Sequence, residues 1–514
     1  MLVVAGVLAH VPMLAMAAPL HYRLVGMPMD AAMLVGMLLV PSGVLLAAYG
    51  LMPRLEQMRR TARAGRMSLP FHAVDNVPLN REHWKLVGVL ALALAVDVMK
   101  PATIGFVMPG LGAEYGLGAS VTALLALSAL GGTAVGSVVW GRLGDLFGRR
   151  ASIMLSALMF MGTSICGAMP SFGWNLLMCF MMGAAAGGML PITFTLMAET
   201  MPTRHRGWLL VALGGVGTSA GYLLASGAAT LIEPTFSWRA LWLLNLPTGA
   251  LIVLLNRYIP ESPRFLMLAG LQEQARAVLA RFCGDSLVAS SIAIDPDYTA
   301  VEAPIVGMRQ LLRGRHAAIG WGMMVCATAW GMVNFGFLLW LPTSLLTLGI
   351  DARECAALLA RSALLAMPGI VLVVGLYQRW SSIRTLVLFI GLTVLSLLCF
   401  VSIDMATWRS STFTIAATVA LLLSVSGVIA TLIPYATEIY PAHLRSTGAG
   451  LIAGGSKFGG ILGALLGVGG LFGHVAWSAW LIAIPMAMAG WMLARRGIET
   501  RGHGLEKIQR LLAE

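Results

Sequence analysis

Charge is scarce in this sequence. Of its 514 residues, 11% are Asp, Glu, Lys or Arg against 58% hydrophobic, and mean hydropathy is +0.84. No soluble core can hide so much apolar surface, so an ordinary soluble domain is excluded. Cysteine is sparse too. Cys166, Cys179, Cys283, Cys326, Cys355 and Cys399 stand singly, without CxxC or Cys/His spacing, so neither a disulfide framework nor a metal site is predicted. The nine His residues include no HExxH, and no GxxxxGK[ST] loop exists to cradle ATP phosphates. No catalytic residues, no metal and no cofactor are expected, and the chain is not expected to be an enzyme.

What fills the chain instead is long apolar windows. A membrane-crossing helix needs roughly 20 mostly apolar residues. Fourteen windows qualify: 1–20, 31–51, 86–108, 119–140, 151–168, 174–197, 208–232, 239–259, 317–346, 354–377, 385–403, 412–435, 447–472 and 474–494. Each is continuously apolar, whereas a barrel strand would alternate, so the expected fold class is an all-α polytopic membrane protein.

The net charge of +12 follows topology. Most Lys and Arg residues fall in the loops at 52–85, 141–150, 198–207, 260–316, 378–384 and 436–446 and in the C-terminal tail. The opposite loops hold only Arg23, Arg239, Arg353 and Arg409. By the positive-inside rule both termini are cytoplasmic, and basicity records orientation in an inner membrane, not a nucleic-acid partner.

Met1 to Leu20 carries an Ala15-Met16-Ala17 site like that of a signal peptide but lacks a basic n-region. Three readings stay open there: an extra hairpin of 1–20 and 31–51, a cleaved leader, or a downstream start. Residues 52–85 read as a basic cytoplasmic linker, whose stretch from Arg54 to Arg66 is expected to lie on anionic headgroups.

The chain also repeats itself. Glu199-x-x-Pro202-x-x-x-Arg206 recurs as Glu438-x-x-Pro441-x-x-x-Arg445, 239 residues later. Gly141-Arg142-Leu-Gly-Asp145-Leu-Phe-Gly148-Arg149-Arg150 returns in degraded form at 375–384, and Pro109 and Pro342 are expected to end corresponding helices. Two six-helix halves, 86–259 and 317–494, joined by a loop at 260–316 and followed by a tail at 495–514, account for all three pairs.

These motifs resemble the major facilitator superfamily over roughly residues 81–500. Gly141 to Arg150 is similar to its signature loop. Glu261 and Arg264 of Pro-Glu-Ser-Pro-Arg, with Glu199, Arg206, Glu438 and Arg445, resemble the branch of sugar porters, organic-ion carriers and aromatic-acid or niacin proton symporters. The stretch from Asp97 to Pro109 is similar to the first helix of the aromatic-acid symporters, with Lys100 at their second acidic position. The resemblance implies transport of a small solute by alternating access, with Gly141, Arg142, Asp145, Gly148, Arg149, Arg150 and the Glu/Arg set as gating residues. It further implies that Asp145 meets a helix beginning near Ser446.

Charges inside the windows point to the site. Asp97 and Lys100 lie three apart on one helix face, and Arg361 and Lys457 sit within later windows. Asp97 is expected to carry a proton. Lys100, Arg361 and Lys457, with Trp330 and Asn334, are expected to meet an anionic substrate. Lys457 is two residues past Gly455 in the ladder Gly455, Gly459, Gly463, Gly467, so it points away from that packing face. The expected partners are a small molecule, protons and the bilayer, without ATP, for a monomeric protein. A sugar or organic-cation carrier and a transport-inactive receptor are the competing expectations.

Overall fold

A computed structural model describes residues 1–51, 77–284, 314–338, 368–404, 411–468 and 475–513. Among the described residues the regular structure is helical throughout, and eleven segments are long and apolar enough to span a membrane.

The chain begins with a hairpin. α1 (Leu2–Leu8) packs along α3 (Ala31–Leu51), with the short α2 (Val11–Met16) between them in sequence. The window at 1–20 is therefore not one span: Pro12 opens α2, and a short 3-10 turn follows at Ala18–Leu20.

α4 (Arg81–Tyr115) starts with a reciprocal cap, the Asn80 side chain accepting from the His83 N–H while His83 Nδ1 accepts from the Asn80 N–H. Pro109 does not end this helix. α4 continues to Gly116, whose φ of 64° suits a residue without Cβ. Membrane helices tolerate such prolines because neighbouring groups satisfy the freed carbonyls. Pro342 lies outside the described residues.

Next come α5 (Ala119–Phe147), α6 (Arg149–Gly162), α7 (Phe172–Ala186), α8 (Met189–Thr200), α9 (Thr203–Phe236), α10 (Ala240–Leu243) and α11 (Asn245–Leu254). Two short helices outside the spans, α12 (Pro263–Leu268) and α13 (Gln272–Cys283), follow. The later helices are α14 (Gly314–Met332), α15 (Gly369–Arg379), α16 (Ser382–Asp404), α17 (Ser411–Ile439), α18 (Arg445–Val468) and α19 (Val475–Arg496), of which α15 is apolar but shorter than a span, and α20 (Leu505–Ala513) lies in the tail.

Packing repeats the sequence duplication. α6 pairs with α11, and 233 residues later α16 pairs with α19. The Gly ladder on α18 works as expected at three of its positions: a Cβ on Gly455, Gly459 or Gly463 would strike Met324 of α14, the Thr328 carbonyl of α14 or the Gly336 backbone just after it.

The chain divides into two compact units, residues 1–202 with 216–301, and 203–215 with 302–514. The start of α9 belongs to the second because Gly207 abuts Tyr377 and Gly215 abuts Ile370.

Candidate functional site

In the first unit, α4 carries the buried pair. Lys100 Nζ lies 3.8 Å from Asp97 Oδ1 and 3.3 Å above the Phe160 ring of α6, with the lysine fully buried. The i, i+3 spacing puts both charges on one face, and a desolvated ammonium on an aromatic face gains about 2 kcal/mol. Gly217 and Gly221 let α9 approach this stretch closely, meeting Leu94 and the Ala95 carbonyl.

In the second unit the candidate residues lie on α14, the turn after it and α18. A π-helical turn at Val333–Phe337 follows α14 and carries Asn334 and Phe335, both half-buried; such turns recur at functional positions. Lys457 Nζ stands 4.9 Å over the Phe335 ring. Trp330 meets that ring edge-on at 6.0 Å and donates its indole N–H to the Val425 carbonyl at 2.8 Å, so the ring, not the N–H, remains for a ligand. Arg361 lies outside the described residues.

Around Arg149 the signature loop forms a closed ionic cage. The buried guanidinium pairs with Asp145 at 3.2 Å and Glu199 at 3.1 Å, and donates to the Gly144 carbonyl. The Arg149 and Arg150 backbone N–H groups donate to Glu261, which thus caps the start of α6. Burial nevertheless pushes the Glu261 carboxyl above the usual glutamate range. Gly148 makes the turn at φ 104°, where a Cβ would strike Glu261. Gly141 is buried, Arg142 is exposed, Arg150 bonds Asn256, and Arg264 is buried near the start of α12.

The second unit builds its counterpart around Glu438. This carboxylate accepts from Arg206 at 3.1 Å, Tyr377 at 3.1 Å and Thr500 at 2.6 Å. Arg206 also donates to the His503 carbonyl, and Arg445 to the Tyr440 carbonyl. Glu499 caps α16 by accepting from the Ser382 N–H and both serine hydroxyls. Burial pushes this carboxyl upward, but the Ser381 and Ser382 hydroxyls outweigh it and hold it below the usual range.

Sequence reasoning missed three of these groups, Glu499, Tyr377 and Thr500. A signal existed, since Glu499 lies 238 residues after Glu261, close to the repeat offset. It also missed a clamp at the far end of α4. There Glu114 receives two bonds from Arg239, one from the Trp238 indole and one from the Leu24 backbone N–H, tying the loop of the N-terminal hairpin to the rest of the first unit. Arg239 had signalled only topology.

Duplicated bundles of membrane-spanning helices, with charges buried along the spans, define a solute carrier. The Major Facilitator Superfamily model matches residues 90–464, and the chain belongs to that family. It is 26% identical over 447 residues to the niacin transporter NiaP of Acinetobacter baylyi, covering 85% of this chain and 98% of that protein. It is also 26% identical to the 4-hydroxybenzoate transporter PcaK of the same organism, covering 77% and 86%. The proton:xylose symporter XylE bound to 6-bromo-6-deoxy-D-glucose shares the fold, with a TM-score of 0.71 at 18% identity over 84% of this chain and 99% of that one. This chain is a multi-pass membrane transporter of small molecules, not an enzyme.

Proposed function

We propose that the protein is a proton-coupled symporter of a small organic anion, working by alternating access as a monomer in the cytoplasmic membrane with both termini in the cytoplasm. The observation that carries this reading is the charge balance along the described spans. Away from the helix ends, the cations Lys100 and Lys457 accompany one carboxylate, Asp97. Intramembrane ionisable groups are costly and are kept for function.

Asp97 takes up and releases the proton. When it is protonated, Lys100 loses its counter-charge and becomes available to the anion; when it is ionised, the pair closes again. Lys457 attracts the substrate's negative charge, while Phe335, Trp330 and Asn334 supply ring faces and an amide. The relatives named for niacin, 4-hydroxybenzoate and gallate carry aromatic acids, and such a molecule matches a cation beside aromatic rings. The Arg149 cage and the Glu438 relay serve as gating elements, with 260–316 as the loop between the six-helix halves 86–259 and 317–494.

Uptake of labelled aromatic acids into proteoliposomes, with and without an imposed proton gradient, tests the proposal. Asp97→Asn is expected to abolish accumulation against a gradient while sparing exchange at equal concentrations, and Lys457→Gln to weaken apparent affinity at least tenfold. Unchanged affinity in Lys457→Gln, or robust transport of a neutral sugar, overturns the anion reading.

A further inference from the structure

The N-terminal hairpin precedes the residues matched by the family model, and its inner face holds a group that transport does not use. His10 is buried, and its Nδ1 lies 2.8 Å from the Gly6 carbonyl oxygen. A carbonyl only accepts, so Nδ1 carries the proton and Nε2 presents a bare lone pair. That nitrogen is buried without a hydrogen-bond partner among the described residues. A ring nitrogen fixed on a backbone carbonyl, with the other left bare, is the arrangement found in metal-ligating histidines.

The surroundings select the kind of metal. Helices α1 and α3 cross at glycines: a Cβ on Gly6 would meet the Gly36 carbonyl, and one on Gly36 would meet both the Gly6 carbonyl and His10 Cε1 at 2.7 Å. Gly43 faces Val3 in the same way, so α1 and α3 run antiparallel with Val3 opposite Gly43 and His10 opposite Gly36. Met13 lies three residues after His10, Met33 lies three residues before the Gly36 on which the His10 ring rests, and Met37 follows Gly36. Met13 and Met33 are buried in one cluster, with Met27, Met29 and Met37 packed against it. Thioethers with an imidazole form a soft, uncharged donor set, which selects monovalent copper or silver over hard divalent ions.

We infer that the hairpin holds a soft monovalent metal ion, Cu(I) or its analogue Ag(I), on His10 Nε2 and the thioethers of Met13, Met33 and Met37. The ion pins α1 and α2 to α3 as a structural clip.

The rival role is plain packing, and leucine separates the two because it keeps the volume of methionine without its sulfur. The full-length protein in detergent is titrated with Ag(I) under a competing chelator, alongside Met13→Leu/Met33→Leu and His10→Phe. The parent is expected to bind one equivalent more than either variant, to melt at higher temperature once loaded, and to show both nitrogen and sulfur neighbours of silver by X-ray absorption. The leucine variant should match the parent's melting temperature without silver. Equal stoichiometry in the parent and the leucine variant, or a silver shell without nitrogen, overturns the proposal. Should His10→Phe fail to fold, the leucine variant still decides.

Discussion

The two copies of the duplicated motif have solved the same local problem with different chemistry. In the first, Glu199 is neutralised from within by Arg149, which also holds Asp145. In the second, the position corresponding to Arg149 is Ile383 and that of Asp145 is Arg379. Glu438 instead takes Arg206, from the start of α9, together with two hydroxyls. What stays constant is the helix cap: Glu261 on α6 and Glu499 on α16 each accept backbone N–H groups at the helix start. The capping geometry is common to both copies, and the copy that lacks the arginine and aspartate holds its carboxylate through a longer-range partner.

The largest effect that tests this contrast is Arg149→Leu, which strands two buried carboxylates. A loss of about 3–5 kcal/mol is expected in thermal unfolding of the detergent-purified protein. Arg206→Leu should cost less, since Tyr377 and Thr500 continue to serve Glu438; equal losses would break the comparison. Tyr377→Phe removes one hydrogen bond to a charged acceptor and should cost about 1.5–3 kcal/mol by the same measurement. Next is Gly148→Ala, expected to cost about 1–3 kcal/mol because it forces a left-handed backbone and crowds Glu261, whereas the matching Ser382 already carries a side chain.

The smallest effect is in pH dependence, and it has opposite signs in the two caps. Glu499, held below the usual range, contributes stability that is complete above its unfolded pKa and is lost as pH falls through its lowered folded value. The deficit of Glu499→Gln should therefore shrink on acidification below the ordinary glutamate range. Glu261, pushed upward, binds its proton more readily folded than unfolded, so its contribution grows on acidification through its raised folded value and fades above it. Relative to the parent, Glu261→Gln should fare worse as pH falls through that window. Melting curves of both variants against pH check this, and parallel profiles would remove the distinction.

The helices and the duplication were readable because hydropathy and the 239-residue motif spacing are properties of the chain itself. α3 falls on the expected window 31–51. The continuation of α4 past Pro109 was not readable, since neighbouring groups decide whether a membrane proline ends a helix. Asp97 and Lys100 were legible as a pair, but the seat of Lys100 on Phe160 depends on how α6 packs, and no local pattern encodes that. Arg149 was recognisable as part of a loop, while its engagement of Glu199 joins residues 50 apart.

The glycine contacts between α14 and α18 act as a ruler. A Cβ on Gly331 would strike the Ser456 carbonyl, and one on Gly459 the Thr328 carbonyl, so the two main chains touch without intervening side chains. The gap from Lys457 to Phe335 is consequently graduated by backbone, which does not repack the way side chains do. A single Gly→Ala substitution on that seam therefore has to push the two main chains apart, and Lys457 and Phe335 with them.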